Sequence, residues 1–487
     1  MKTFFRNTTQ KFASWWDSIM KYASPREKIV LSLLIAVLVG SAAFTVSGFY
    51  QRNTTLIPQQ GGTYTEATVG QPRYINPILA SGNDLYRDLS SLLFSSLFRI
   101  NNSLELEGDL ATAYTISENG LTYTVTLRDN ARWHDGEPVT AQDVVFTIRS
   151  IQTPDYDSPL EASFQGVTVD APDDRTVVFT LKQPYAPFLH SLTVGIVPQH
   201  VWENIPPQNA ALAEQMLRPI GSGPFQFEEI VTRRKTGEIT NLRLVRNENY
   251  YGQYPFLNEI SFAFFPTSEE ALTALTNNNV DGVSFLPLSQ ASEIRSRGRL
   301  EIERLALPQY FGLFFNEVKN ERLGDAGIRA ALSLATNREE IITEALEGEA
   351  TALHLPIPPG IFTFENEFES PNPNVEVANQ NLEEADWKDE DGDGIREKDD
   401  TKLEVTITTT DWPEYVKTAE ILKEQWEQIG VGVNIETISA GSIQQTVVGP
   451  REYQILLYGE VLSIDPDPYA FWHSTQTRNP GLNLSLL

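Results

Sequence analysis

Alternation of apolar and polar positions is clearest over residues 121–128. Leu121, Tyr123, Val125 and Leu127 alternate with Thr122, Thr124, Thr126 and Arg128, the two-residue period of a half-buried strand. Asp135-Gly136 then predicts a turn. Beyond it, Val144, Val145, Ile148 and Ile151 share one helical face, and Thr140 with Asp143 three residues on resembles a capping box. The same reasoning predicts strands at 63–69 and 176–181, and a short helical stretch that begins over Pro198 to Trp202. The run PIGSGPFQF at 219–227 reads as a turn, because a strand and a hairpin follow it, with Thr236-Gly237 near the hairpin tip. A Gly-x-Gly that cradles phosphate would need a helix there instead. From Tyr310 a Phe-rich strand precedes a helix with Ile328, Ala331, Leu332 and Ala335 on one face, and Asn337 caps a second helix with Glu340 at its third position. Residues 401–437 read as β-α-β: Leu403, Val405 and Ile407 alternate, Tyr415, Ala419, Leu422, Trp426 and Ile429 form a helical stripe, and Val431, Val433 and Ile435 alternate again. That order favours a parallel pair within a mixed sheet.

One stretch breaks this amphipathic texture. Residues 29–50 contain no charge and would span about 33 Å as a helix, at ~1.5 Å per residue. Lys2, Arg6, Lys11, Lys21, Arg26 and Lys28 precede it against Asp17 and Glu27, which predicts a cytoplasmic 1–28 and an exported remainder. Two readings stand, an uncleaved transmembrane anchor or a signal peptide cut near Ser41-Ala42-Ala43; length and the charged lead favour the anchor. Residues 51–60 read as a polar linker. The 487 residues carry a net charge of −28, and with +4 on 1–28 the rest carries −32. Such an acidic exterior argues against nucleic acid as a partner and otherwise serves solubility. No cysteine is present, so disulfides, thiolate metal sites and lipidated cysteines are excluded.

The particular words say more than their periods. GLTYTVTLRDNARWHDGEPVTAQDVVFT at 120–147 closely resembles the signature segment of the family 5 extracellular solute-binding proteins, the oligopeptide, dipeptide and nickel receptors of ABC importers. The stretch from Gly61 to Tyr114, the turn at 219–227, NENYYGQYPFLNEI at 247–260 and the passage from Tyr310 resemble other parts of that family, in the same order; in the first of them the resemblance implies a loop at Asn76-Pro77 and then a helix over 84–97. The resemblance implies an α/β, two-lobed periplasmic-binding-protein type II-like fold with an extra subdomain, preceded here by one transmembrane helix. Lobe I would cover 61–300 and lobe II 301–457, with 458–487 returning towards lobe I and family members continuing beyond it. It implies an extracytoplasmic receptor that captures oligopeptides or similar solutes between its lobes and delivers them to a permease driven by ATPase subunits, with no cofactor required. A surface hydrolase of wall glycan or peptide, and a sensor using the same cleft, are the alternatives.

Candidate chemistry lies in two places. In peptide-binding members a Trp-x-x-Asp supplies a carboxylate for the peptide's α-ammonium. Here that stretch reads YGEVLSI at 458–464, the aspartate is missing, and Glu460 is the nearest carboxylate, with a surface acid or a salt-bridge partner as the plainer alternative. The resemblance adds Tyr458, Asn76, Tyr310, Asp465 and Trp472 as candidate ligand contacts. Separately, DEDGDGIREKDD at 389–400 places Asp389, Asp391 and Asp393 at positions 1, 3 and 5 of an EF-hand-like loop. Gly394 supplies the turn, Ile395 a carbonyl, Glu397 a ligand at 9 and Asp400 a shortened one at 12. Either a structural Ca2+ or a solvated acidic turn fits that pattern. The histidines (His134, His190, His200, His354 and His473) have no zinc-hydrolase spacing, there is no G-x-S-x-G, and Lys235-Thr236-Gly237 lacks an exported S-x-x-K partner. Nothing singles out a catalytic set.

Overall fold

The computed structural model describes residues 21–22, 24–55, 57–79, 84–295, 300–303, 309–353, 355, 372–461, 471–478, 481 and 483–486. Two units make up the chain, Met1–Gln60 and Gly61–Leu487. In the first, a helix runs Pro25–Asn53, its start fixed by Ser24, whose hydroxyl accepts from the Glu27 N–H while the Glu27 carboxylate accepts from the Ser24 N–H. Its Pro25–Tyr50 portion is long and apolar enough to cross a membrane. Leu33, Leu34, Val37 and Leu38 are exposed, as on a helix that is apolar all round.

The second unit holds three larger sheets. A five-stranded sheet places Thr63–Val69 between Glu259–Phe265 and Gly282–Val283, parallel to both, and the antiparallel hairpin Phe225–Thr232 and Ile239–Arg246 completes it. A four-stranded antiparallel sheet runs Ala111–Ile116, Thr122–Leu127, Thr176–Thr180, Thr168–Asp173. Its strand Thr122–Leu127 buries Tyr123, Val125 and Leu127, as the alternation requires, and the helix Ala141–Ile151 buries Val144, Val145, Ile148 and Ile151 against it. Residues of both sheets and of the loop around Ile75 and Ile78 share one large core. On the other face of the five-stranded sheet, Ala67 packs with Ala271, Leu275, Val280 and Ile294.

The third sheet orders Gln309–Phe315, Ile455–Val461, Glu404–Thr410 and Gly432–Ile438. The first pair is antiparallel; the other two are parallel. The helix Pro413–Glu427 joins the parallel pair, and its Ala419, Leu422 and Trp426 are buried with Val405, Ile407, Val433 and Ile455. The β-α-β reading of 401–437 is therefore realised, in a mixed sheet. At its start Trp412 stands at the cap and Pro413 in the first turn, Asp411 accepts from the Ala440 N–H, and Glu414 turns inward.

Two further differences follow from packing. The helix expected over 84–97 ends at Leu93, because the Gly223 N–H takes the Leu93 carbonyl and Ser96 bridges to Gly195 instead of continuing the turn. Residues 458–461 belong to the third sheet, and the described residues beyond 470 lie against it: Leu484 and Phe471 pack with Tyr310, Phe314 and Leu456, and the Tyr453 hydroxyl donates to the Leu484 carbonyl at 2.6 Å.

Candidate functional site

The signature segment is a structural joint. Trp133, fully buried, donates its indole N–H to Asp143 at 3.4 Å. Asp143, 4% exposed, also accepts from the Thr140 N–H and hydroxyl and from the Gln199 N–H at 2.8 Å, so one carboxylate starts two helices far apart in sequence. Burial pushes its carboxyl up, and these donors pull it back. His134 closes the same joint onto the turn at 219–227. Its Nδ1 accepts from the Gly221 N–H at 3.1 Å, its Nε2 lies 3.2 Å from the Gly223 carbonyl, and its own N–H donates to the Gly221 carbonyl. Only a neutral ring protonated on Nε2 satisfies both contacts. Burial accordingly depresses the imidazole to about 4. Gly221 and Gly223 are required by closeness: a Cβ at Gly221 would stand 1.8 Å from the Leu93 carbonyl oxygen. The Gly-x-Gly is thus a turn clamped to the end of the helix Asp84–Leu93.

The candidate ligand residues gather at the end of the third sheet where the parallel strands finish, the edge at which open α/β sheets hold ligands. Tyr310 and Glu460 are paired across neighbouring strands and point to the same face. The Tyr310 hydroxyl donates to Glu460 Oε2. Glu460 is 6% exposed, and its Oε1 has no hydrogen-bond partner among the described residues. Burial raises its carboxyl to about 7, against the pull of Tyr310 and the guanidinium of Arg451. Arg451 donates to the Val448 and Gly481 carbonyls, at a backbone φ of +61°, and its Nε has no partner among the described residues. Burial and the adjacent Glu460 push the Tyr310 phenol up, while a hydrogen bond from Trp472 pulls it down. Trp472 is 37% exposed and tilts over Phe314 with ring centroids 6.4 Å apart. Tyr458 packs on the same cluster. So Glu460, Tyr310, Tyr458 and Trp472 come together. Asn76 does not join them: it is 1% exposed, flanked by Ile75 and Ile78 of the large core, and its side-chain oxygen accepts from the Ile78 N–H. Its side-chain oxygen is spent on its own loop. Asp465 lies outside the described residues.

At the acidic loop, carboxylate oxygens of Asp389, Asp391, Asp393 and Glu397 lie within 4.8 Å of one another. Asp400 is not in that group; with φ +59° it stands in the turn between Glu397–Lys398 and Thr401–Lys402. Ile395 donates its N–H to Asp393, and Lys402 reaches the loop from the hairpin, paired with Asp391 at 3.5 Å and with Asp393.

Residues 105–481 match the family model described as bacterial extracellular solute-binding proteins, family 5 middle. The chain belongs to that family. Among its relatives, the oligopeptide-binding protein AppA of Bacillus subtilis is 28% identical over 463 residues, 93% of this chain and 83% of that protein. The structure of that protein in complex with a nonapeptide superposes with a TM-score of 0.79 at 28% identity, covering 88% of this chain and 85% of the other. NikZ from Campylobacter jejuni, solved with Ni(L-His), gives 0.76 at 27% identity, covering 87% and 83%. The family makes this a solute-binding protein of α/β periplasmic-binding type.

Two functional-looking residues escaped sequence reading. Arg451 had no signal, being a lone base in a loop. Glu414 stands in the first turn of its own helix, yet its Oε1 accepts from the Leu288 N–H at 2.5 Å, starting the helix Leu288–Arg295, a pairing that nothing local encodes.

Proposed function

We propose that the chain is the peptide-capturing receptor of an ABC importer, serving a membrane permease and its ATPase subunits. In this reading 29–50 is an uncleaved anchor, and the unit from Gly61 works outside the cell as two lobes, 61–300 with the four-stranded sheet as extra subdomain and 301–457. Residues 458–461 extend lobe II. Ligand binds between the lobes, contacts both only when they close, and the permease reads the closed shape. Binding, with no catalysis, is the whole of its chemistry. An anchored receptor stays near its importer through effective concentration.

The carrying observation is Glu460, buried, with one oxygen that has no partner among the described residues, at the end of the third sheet where the parallel strands finish. A buried carboxylate with an unused lone pair suits a cationic donor such as a peptide's α-ammonium. The likeness to a receptor solved with a nonapeptide supports an extended peptide as that donor. The test compares free and N-acetylated forms of one peptide against wild type and Glu460→Gln by calorimetry on the full chain in detergent. Removing one partner of a buried charge pair costs about 3 kcal/mol or more, so Glu460→Gln should bind the free peptide at least about a hundredfold more weakly and leave the acetylated one unchanged. Equal binding of both forms by the wild type would refute the assignment.

A further inference from the structure

The loop between the helix Val375–Glu384 and the hairpin at Glu397 carries more negative charge than its own lysine can neutralise. Four carboxylates converge within 4.8 Å, and Lys402 meets only Asp391 and Asp393. Two left-handed glycines, Gly392 at φ +80° and Gly394 at φ +91°, fold the backbone so that both their N–H groups donate to Asp389. A solvated turn would need nothing further, since Asp389, Asp391 and Asp393 are exposed.

Glu397 is not explained that way. It is 9% exposed, its Oε2 accepts from the Glu390 N–H at 3.0 Å, and its Oε1 is buried with no partner among the described residues. A buried carboxylate that is gathered with three others and keeps one oxygen without a donor calls for a cation. Its neighbour Arg396 is fixed by the Ile429 and Trp387 carbonyls and by Asn379, so Glu397 sits on a held frame. We propose that this loop is a divalent-cation site of calcium type, with Asp389, Asp391, Asp393 and Glu397 as carboxylate ligands. Lys402 is its built-in substitute, an ammonium that the metal displaces from Asp391 and Asp393. Calcium fits better than magnesium because it accepts an irregular set of six to eight oxygens, whereas magnesium requires a near-ideal octahedron and keeps its water. The role is structural: the loop feeds the hairpin Glu397–Lys402, which leads into the strand Glu404–Thr410 inside the third sheet. This inference is independent of which solute the protein captures.

The test is calorimetric titration and thermal melting of the chelator-treated full chain with calcium or magnesium. Calcium at a hundredfold excess over Kd should raise Tm by about 3 °C, and magnesium at the same concentration by much less. Glu397→Gln should abolish the rise, and so should Asp391→Asn, an exposed substitution that leaves the core untouched. Lys402→Met should lower the metal-free Tm and tighten calcium binding about tenfold. No heat and no shift with calcium would overturn the site, as would a rise that survives both Glu397→Gln and Asp391→Asn. Unaltered calcium affinity in Lys402→Met would overturn the displacement.

Discussion

Lowering the pH from 8 to 4 should weaken the fold through His134, and the structure sets both the sign and the size. An unfolded chain protonates this imidazole near pH 6.5, whereas in the folded state burial postpones protonation to about 4. Between those values the unfolded chain holds one more proton, so stability falls as pH falls; the contribution is complete above 6.5 and lost progressively down to 4. At roughly 1.4 kcal/mol per pH unit the gap amounts to about 3 kcal/mol. Glu460 acts oppositely: its carboxyl is raised from 4.5 to about 7, so over that range the folded state holds the extra proton and stability falls as pH rises. Wild type alone would therefore show partial cancellation. The assay is urea unfolding of wild type and His134→Gln at pH 8, 7, 6, 5 and 4, read by tryptophan fluorescence. His134→Gln keeps Glu460 and every carboxylate, so subtraction isolates the imidazole. The stability advantage of the wild type should shrink by about 3 kcal/mol across the series. An advantage that stays flat, or grows on acidification, would refute a neutral His134 bridging Gly221 and Gly223.

Gly221→Ala should cost more than about 3 kcal/mol in the same urea assay, because its Cβ meets backbone oxygen that cannot step aside; a loss under about 1 kcal/mol would contradict the close approach. Affinity for a free-amine peptide should rise with pH through about 7, as Glu460 ionises, and N-acetylated peptide should show no such step by calorimetry between pH 5.5 and 8.5. Membrane fractions of the native host should contain the chain with its N-terminus intact, checked by N-terminal sequencing; a released chain starting near residue 44 would show cleavage instead.

What sequence conveys well here is local. The alternation at 122–127 and the helical stripe at 144–151 depend on neighbours one to four residues away, and both appear as read. So does the parallel pair around Pro413–Glu427, because apolar alternation on both sides of a stripe constrains the connection. Long-range pairing is different. Tyr310 and Glu460 could each be named from the resemblance, but that one donates to the other depends on strand order and register across 150 residues. His134 meets Gly221 and Gly223 over gaps of 87 and 89 residues, and no periodicity encodes that. Asn76 shows the reverse error: a polar residue in a family-like loop invites a ligand role, yet a short turn claims its side-chain oxygen. Lys402 was silent because a lysine after an acidic run looks like ordinary surface until the hairpin folds it back.

The most direct test of the central claim is calorimetric titration of the purified full chain with unmodified peptides of two to nine residues at pH 7.5. A peptide receptor should release saturable heat with one peptide per chain, and should gain about 2.7 kcal/mol of stability at a hundredfold excess over Kd. If no peptide gives saturable heat while another class of solute does, peptide capture is wrong even though the family stands.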